Sequence, residues 1–384
     1  MNPRPRQAIS LLLFTVCLGS WPAQAADERM GGPLSAQSVP ADNLATLSQE
    51  PQPSQAAGPQ SSADDTGALF PVGAHGKSGY IDKTGKVVIP LQFYRAYPFH
   101  EGMAFVQMYQ DLANPRRLEL QPIDKTGKVI LGQEYSYAGP FAEGMALVEV
   151  PWSHSFFHID KGGLGYIDKT GKMVIPLQGF EIASSFTEGL AAVKDHGKWG
   201  YIDKTGKMVI SPQFSGAHGF SEGLAEVEDN KKWGYIDTTG KMVIPPQYEV
   251  AYKHSEGLAA VKDGGRWGYI DKTGKMVIPP RFSDAYGFSE GLAGVQDGKK
   301  WGYIDKAGKM VIAPQFDVAW RHSGGLAAVK TDGKWGYVDA TGNMVIPARF
   351  DDAGTFADGL AAVRQGKEGG YIDNTGKCVW GPIK

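Results

Sequence analysis

Nine aspartates recur at one position of a repeated sequence phrase, and their carboxylates are the first candidates for chemistry. The clearest copy of the phrase spans residues 199–210, and its aspartate is followed by Lys-Thr-Gly. The nine are Asp82, Asp124, Asp168, Asp203, Asp237, Asp271, Asp305, Asp339 and Asp373. A catalytic site needs a few groups in an asymmetric arrangement, whereas a group present in every copy is required by local geometry. Each copy supplies one carboxylate without the D-x-[DN]-x-[DN]-G loop of a calcium site, so we predict that these aspartates cap turns.

Two segments match the nucleophile pattern of a hydrolase, G-x-S-x-G, at residues 219–223 and 287–291. That pattern requires a strand, a strained turn and a following helix, but an apolar β-type run follows both segments here. The recurring Lys-Thr-Gly resembles one box of the β-lactamase signature, and its partner boxes S-x-x-K and S-D-N are missing from the sequence. We therefore predict no catalytic residues and no enzymatic activity.

Histidines are the candidate metal ligands, and His154 and His158 form a close pair. The sequence has no H-E-x-x-H motif, and the pair has neither a nearby cysteine nor a clear third ligand. We predict neither a metal site nor a cofactor.

The elements that carry these residues are short β-runs separated by turns. Residues 190–194 and 199–203 are apolar or aromatic runs, and Met208-Val209-Ile210 is a third run that Pro212 ends. The sequence contains 51 glycines among 384 residues, about twice the usual share, which suits a chain with many tight turns. Each repeat is predicted to be a three-stranded antiparallel meander of about 34 residues.

Both faces of the predicted meander are apolar, because Trp199 and Tyr201 point to one side and Ile202 points to the other. A sheet with one wet face would alternate apolar and polar residues, so we expect each sheet to be sandwiched between its neighbours. Nine repeats exceed the 4–8 blades that are usual for propellers. We therefore predict an all-β open array, curved or superhelical, with a closed propeller-like ring as the alternative.

The repeated phrase resembles the bacterial WG repeat family, also called KWG repeats. The resemblance rests on Lys-Trp-Gly-Tyr-Ile-Asp-Lys-Thr-Gly-Lys, on the preceding Ser-Glu-Gly-Leu-Ala, and on their regular recurrence over residues 69–384. The Trp-Gly pair itself begins at Trp199, Trp233, Trp267, Trp301 and Trp335, and is replaced at Ser78, Leu120, Leu164 and Gly369. The resemblance implies β-repeat modules that act in interaction or binding, without catalytic residues to transfer.

A variable position within the constant frame is the first candidate binding surface. It follows the alanine of the loop between repeats and holds a large aromatic or imidazole ring in several copies: Tyr97, His218, Tyr252, Tyr286 and Trp320. From His218 to Trp320 these residues are 34 positions apart, so we expect a row along one edge of the array. Tyr and Trp supply large contact areas at low entropic cost, which suits binding to a protein or a sugar ring. Packing against the adjacent repeat is the alternative.

Two insertions, near residues 109–119 and 152–163, form the second candidate binding surface. They lengthen two successive repeats and contain rings and charges suited to recognition: Tyr109, Arg116, Arg117, Trp152, His154, Phe156, Phe157 and His158. Insertions in repeat proteins map to one face, often the binding face. Decorative loops without a binding role are the alternative.

The N-terminal residues 1–25 are typical of a secretory signal peptide, and residues 26–68, rich in Pro, Ser, Gln and Ala, are typical of a disordered linker. The predicted apolar core of the signal is too short to span a bilayer, so no membrane span is expected. With 39 Lys and Arg against 41 Asp and Glu, the chain has no basic excess for nucleic acid. We predict an exported protein, in the periplasm, at the cell surface or secreted.

The function predicted from the sequence is non-enzymatic binding of another protein in the bacterial envelope, through the aromatic row and the insertions. Binding of a glycan or an envelope polymer by the aromatic row is the alternative. Inhibition of an envelope toxin or hydrolase is a narrower form of the first hypothesis.

Overall fold

The computed structural model describes residues 67–108, 120–130, 134–150, 163–177 and 179–383. The regular elements in these ranges are all β-strands, so no helix there has the length and hydropathy to cross a membrane. The predicted signal peptide, and the predicted linker up to residue 66, lie outside the described residues.

The strands form nine small antiparallel sheets, numbered here in chain order, and within each sheet the strands follow the order of the chain. Sheets 1 and 2 have three strands and sheets 3 to 9 have four. Sheet 1 contains β1 (Phe70–Ala74), β2 (Lys77–Ile81) and β3 (Val87–Phe93), and sheet 2 contains β4 (Arg95–Ala96), β5 (Met103–Gln107) and β6 (Leu120–Asp124). Sheet 3 contains β7 (Tyr137–Ala138), β8 (Met145–Val150), β9 (Gly163–Asp168) and β10 (Met173–Pro176).

The remaining sheets repeat one pattern of a two-residue strand followed by three longer strands. Sheet 4 contains β11 (Ile182–Ala183), β12 (Leu190–Asp195), β13 (Lys198–Asp203) and β14 (Met208–Phe214). Sheet 5 contains β15 (Gly216–Ala217), β16 (Leu224–Asp229), β17 (Lys232–Asp237) and β18 (Met242–Tyr248). Sheet 6 contains β19 (Val250–Ala251), β20 (Leu258–Asp263), β21 (Arg266–Asp271) and β22 (Met276–Phe282).

Sheets 7 to 9 complete the series. Sheet 7 contains β23 (Asp284–Ala285), β24 (Ala293–Asp297), β25 (Lys300–Ile304) and β26 (Met310–Phe316). Sheet 8 contains β27 (Val318–Ala319), β28 (Leu326–Thr331), β29 (Lys334–Asp339) and β30 (Met344–Phe350). Sheet 9 contains β31 (Asp352–Ala353), β32 (Leu360–Gln365), β33 (Glu368–Asp373) and β34 (Cys378–Trp380).

Tight hairpins set the register of the central strands. In sheet 4, Leu190 pairs with Asp203 and Asp195 pairs with Lys198, which leaves a two-residue turn between β12 and β13. His196 and Gly197 in that turn have φ of 46° and 77°. Positive φ at both positions is the signature of a type I′ turn, whose twist matches that of the flanking strands.

The two-residue strand is a feature that the three-stranded prediction did not include. In sheet 5 it is Gly216–Ala217, which pairs with Glu228 and Val227 of β16. The same stretch of chain, 208–217, pairs first with β13 of sheet 4 and then with β16 of sheet 5. Two residues are too few to produce a periodic signal, which is why the sequence pattern did not predict this strand. The stretch ties each sheet to the next through backbone pairing.

Apolar side chains fill the contact between successive sheets, which we call a seam. In the seam between sheets 5 and 6, Tyr235 is fully buried with 0% exposure. It packs with Leu224 and Ile244 against Ala259 and Val261 of sheet 6. On the other face of sheet 5, residues of β16 and β17 complete the core shared with sheet 4. Both faces of the sheet are therefore covered, as the sequence pattern predicts.

Sheet 9 packs against sheet 1 and closes the array into a propeller-like ring. Phe70 lies edge-on to Tyr371 with ring centroids 5.6 Å apart, and Leu360 shares a buried cluster with Val72 and Ile81. The Tyr371 hydroxyl donates a hydrogen bond to the Pro71 carbonyl at 3.0 Å. The closed alternative is therefore confirmed, and the open array that we preferred is wrong. That preference rested on blade numbers in other propellers, whereas closure depends on whether the first and last apolar faces fit each other.

Candidate binding surface

The recurring aspartates lie in the turns that follow the second long strand of each sheet. Asp203 Oδ1 accepts hydrogen bonds from the Thr205 amide at 2.9 Å, the Thr205 hydroxyl at 2.6 Å and the Lys207 amide at 3.1 Å. Gly206 has φ of 82°, and its amide donates to the Asp203 carbonyl. All nine aspartates accept the same pair of backbone bonds. These carboxylates are engaged in holding the turn.

The titration of these carboxylates follows from the same contacts. At Asp339, the Thr341 hydroxyl bond and the bonds from the Asn343 and Thr341 amides outweigh the opposing effect of desolvation, and they lower the pKa to about 2. At Asp203, the Thr205 hydroxyl bond likewise lowers the pKa below its usual value. A general base for neutral pH needs a pKa near 7, so these shifts point away from proton transfer.

A second recurring carboxylate, the glutamate of the Ser-Glu-Gly loop, links each sheet to the next. Glu222 has φ of 56°, in the left-handed region, where Gly would be less strained. Its side chain accepts a hydrogen bond from the Gly257 amide of sheet 6 at 3.0 Å and lies 3.1 Å from Lys272 Nζ. The same amide contact recurs from Glu101, Glu143, Glu188, Glu256 and Glu290. We call this set the glutamate ladder.

The pKa of Glu222 reflects its place in the ladder. Burial raises the pKa, but the Lys272 and Gly257 contacts together outweigh burial and leave the pKa lowered. Glu101 and Glu143 show the same balance of burial against lysine and amide contacts. These three carboxylates are therefore ionised at neutral pH and already have partners.

The tyrosine that recurs in the phrase joins neighbouring sheets in a comparable way. The Tyr235 hydroxyl donates to the Tyr252 carbonyl at 2.8 Å, and the Tyr303 hydroxyl donates to the Trp320 carbonyl at 2.7 Å. Burial raises the pKa of Tyr235 well above 10, so the hydroxyl stays protonated. These hydroxyls, like the recurring carboxylates, therefore hold the ring together.

Most rings of the predicted aromatic row are stacked on the Trp of the same sheet. The stacked pairs are His218 with Trp233 at 4.8 Å, Tyr252 with Trp267 at 4.8 Å, Tyr286 with Trp301 at 4.7 Å and Trp320 with Trp335 at 5.5 Å between ring centroids. Tyr286 also contacts Trp320 of the next sheet, with centroids 6.1 Å apart. The row is continuous at that point.

Exposure differs along the row. Tyr97, His218, Tyr252 and Trp320 are half-buried, and each presents part of its ring at the surface. Tyr286 is only 4% exposed, so its ring offers little area to a ligand. Packing within the ring, the alternative to ligand binding, therefore accounts for a substantial part of the surface of these residues.

The residues of the two insertions, Tyr109, Arg116, Arg117, Trp152, His154, Phe156, Phe157 and His158, lie outside the described residues. Their attachment points are described. Gln107 pairs with Leu120 in sheet 2, and Val150 pairs with Gly163 in sheet 3. Both insertions therefore leave the ring at the hairpin between the two long strands, from sheets that are neighbours.

Three polar residues replace apolar or aromatic repeat positions in a single seam, and two of them were not predicted from the sequence. Glu226 is 2% exposed and His254 is 0% exposed, and they stand where other copies have alanine and phenylalanine. His218 is the third. Comparing each repeat position for departures from its own consensus would have found them. Within the described ranges, no three His, Cys, Asp or Glu side chains come together as a metal site would require.

The model for the WG containing repeat matches eight segments of this chain: 79–110, 123–150, 165–199, 199–233, 233–267, 267–301, 301–335 and 335–368. Together these segments cover more than half of the sequence. No curated protein matches the chain significantly.

Several solved structures match the chain at low identity. Hsv2 of Kluyveromyces lactis is 13% identical, with 68% of this chain and 89% of that chain covered and a TM-score of 0.37. The C-terminal WD40 domain of Sif2 is 12% identical, with 72% and 91% covered and a TM-score of 0.39. Dihydro-heme d1 dehydrogenase NirN is 14% identical, with 77% and 76% covered and a TM-score of 0.41. Likeness at this level carries no argument about function.

Proposed function

Because the chain belongs to the family of WG-containing repeats, we propose that it is a non-enzymatic scaffold that binds another protein. The observation that carries the proposal is the difference between the constant and the variable positions of the repeat. The constant carboxylates and tyrosine hydroxyls are engaged in turns and seams, whereas the variable ring position remains partly exposed. A rigid ring with variable side chains on a constant frame suits recognition better than catalysis.

The stacked pairs supply contact area that is already ordered. Trp320 lies against Trp335 with an interplanar angle of 14°, and Tyr252 lies against Trp267 with an angle of 28°. A ring fixed in this way loses little conformational freedom when a partner binds, which favours affinity. Aromatic side chains of this kind are frequent among the residues that dominate protein interfaces.

The proposed place of action is the bacterial envelope, after export. Support comes from the signal-like residues 1–25 with their Ala-Gln-Ala cleavage pattern. Expression of the full chain with an epitope tag, followed by fractionation, tests this. Recovery of a shortened tagged protein in the periplasm or the medium is expected, and recovery of full-length protein in the cytoplasm would contradict export.

The binding proposal is tested with protein that begins at residue 26. Crosslinked capture from envelope extract names a candidate partner, and its dissociation constant is then measured with purified components. We expect Trp320→Ala to weaken binding about tenfold or more, which is the scale of an interface anchor. Tyr94→Ala is the matched control, because Tyr94 is a 41% exposed aromatic outside the row.

The insertions are tested in the same assay by replacing Trp152, Phe156 and Phe157 together with alanine. Weakened binding with an unchanged melting temperature would place the partner on both surfaces or on the insertions alone. If neither this variant nor Trp320→Ala alters affinity, the proposed binding surface is wrong.

Glycan binding is the second candidate, because the half-buried faces of Tyr252 and Trp320 suit stacking on a sugar ring. Titration with soluble cell-wall fragments, followed by tryptophan fluorescence, distinguishes the two candidates. A saturable response that Trp320→Ala abolishes would favour a glycan. A flat response together with a protein partner would favour the first proposal.

A further inference from the structure

The seam between sheets 5 and 6 differs chemically from the other seams of the described ring. His218 replaces the Tyr or Trp of the aromatic row, Glu226 replaces the alanine of the Leu-Ala-Ala-Val run, and His254 replaces a phenylalanine. The phenylalanines at the position of His254 are Phe99, Phe141, Phe186, Phe220, Phe288 and Phe356. His322, in the seam between sheets 7 and 8, is the second histidine at this position.

His254 is enclosed in the seam, where its ring nitrogens are poorly satisfied. It is 0% exposed and lies edge-on to Tyr235, with ring centroids 4.9 Å apart. Among the described residues, neither Nδ1 nor Nε2 has a well-formed hydrogen bond. Glu226 is 2% exposed, its Oε2 is also unpaired, and its Oε1 lies 3.9 Å from His218 Nδ1. Buried polar groups in proteins are normally paired, so this seam is unusual.

The charges around His254 decide which form of its ring the seam holds. Burial lowers its pKa and is the largest influence, and Lys272 lowers it further. The Asp271 backbone, Glu226 and Glu222 act in the opposite direction, but the pKa remains below the usual 6.5. The neutral Tyr235 ring is the other group facing it. The closed seam therefore holds the neutral imidazole.

We propose that this seam is an acid-sensitive joint of the ring, at which opening takes up a proton on His254. The direction follows from linkage. A histidine whose pKa is lower in the closed form contributes stability at pH values above 6.5, and that contribution is lost as the pH falls from 6.5 towards the closed-form pKa. Within that window each pH unit shifts the opening equilibrium up to about tenfold. Seams that carry phenylalanine at the position of His254 lack this pH-dependent contribution to stability.

His322 supplies an internal comparison. It is 1% exposed, and neither ring nitrogen has a well-formed hydrogen bond among the described residues. Burial lowers its pKa against the effects of the Asp339 backbone and of the Glu290 and Asp339 charges. Its seam has Gly294 at the position of Glu226. Both seams are expected to lose stability in acid. Glu226 raises the pKa of His254 and so narrows the pH range over which the seam between sheets 5 and 6 loses stability.

Hydrogen exchange of the full chain at pH 7.5 and pH 5.5 tests the proposal, with protection factors corrected for intrinsic exchange. In the wild-type protein we expect protection of the β17 and β20 amides to fall by up to about tenfold at pH 5.5. In His254→Phe, a residue that the chain itself uses at this position, protection there should change less than about twofold. The seam between sheets 6 and 7, which carries Phe288, should behave alike in both proteins.

An equal fall of protection at the β17 and β20 amides in wild type and His254→Phe would overturn the proposal, as would an equal fall at the Phe288 seam. Melting at pH 7.5 checks that the variant is folded. Glu226→Ala is a second test, in which the fall in protection should not shrink as it does in His254→Phe. It removes a group that raises the pKa of His254, so the fall between pH 7.5 and pH 5.5 should be as large as in wild type or larger. A smaller fall would contradict the proposal.

Discussion

Replacing Tyr371 by phenylalanine is the most direct test of ring closure. The hydroxyl of Tyr371 donates to the Pro71 carbonyl of β1 at 3.0 Å, across 300 residues of chain. In sheet 1 and in sheets 4 to 8 the equivalent tyrosine donates to a carbonyl 17 residues later, as Tyr235 does to Tyr252 at 2.8 Å. Sheet 1 therefore supplies to sheet 9 the acceptor that a tenth repeat would otherwise have supplied.

The expected cost follows from burial. Tyr235 is fully buried, and Tyr235→Phe leaves the Tyr252 carbonyl without its donor, which costs about 1–2 kcal/mol of unfolding free energy. Tyr371 is half-buried, so water can partly replace the lost bond. We expect Tyr371→Phe to cost about 1 kcal/mol. In an open array the Tyr371 hydroxyl would face solvent, and the same change would cost about nothing.

Urea unfolding of the two variants and the wild type, followed by circular dichroism and by tryptophan fluorescence, measures these costs. Trp380 packs in the closing seam, so it adds a contribution from that seam to the fluorescence of the chain. Coincident transitions by both probes are required before a free energy is assigned. If Tyr235→Phe is destabilised while Tyr371→Phe unfolds like the wild type, the ring is not closed through this bond and our account of sheet 9 is wrong.

Three further perturbations follow from the repeat geometry. Gly274→Ala should lower stability by about 1–3 kcal/mol, because φ is 86° and the new Cβ would lie 3.2 Å from a buried isoleucine. Gly264→Ala is the control, because Gly264 has φ of 55° and open space around it, and it should cost about 1 kcal/mol. Thermal melting compares the stabilities of the two variants. Carboxyl titration by NMR should place the midpoint of Asp339 near 2, and its contribution to stability, present above the usual value of 3.8, should fade as the pH drops towards 2. Glu222→Gln should cost less than about 1 kcal/mol in urea unfolding, because the Lys272 partner is 46% exposed; a larger loss would show that the ladder acts as a unit.

The local structure of the repeat was predictable because its determinants lie within one copy of the phrase. Asp203, Thr205 and Gly206 are neighbours in sequence, and the turn they form depends on their own side chains and φ preference. The two apolar faces of β13 follow from alternation over six residues. The family resemblance and the all-β class are confirmed for the same reason.

The candidate surface was predictable only in part. The variable ring position was visible as a break in a constant frame, and the structure shows stacked pairs there. How much of each ring remains at the surface depends on the neighbouring sheet, which is why Tyr286 at 4% exposure could not be told from the half-buried Trp320. Glu226 and His254 stand in different repeats, and only the packing of sheet 5 on sheet 6 brings them into one seam.

The amino-acid sequence by itself determined the repeat unit, its turns and the apolar character of both sheet faces, because each is written in a few consecutive residues. Tertiary structure alone decided that the array closes and that the chain between two sheets pairs with both of them. It also decided that the polar residues His218, Glu226 and His254 lie in one seam. Those features depend on contacts between residues far apart in the chain, such as Pro71 and Tyr371, whose pairing leaves no trace in a local pattern.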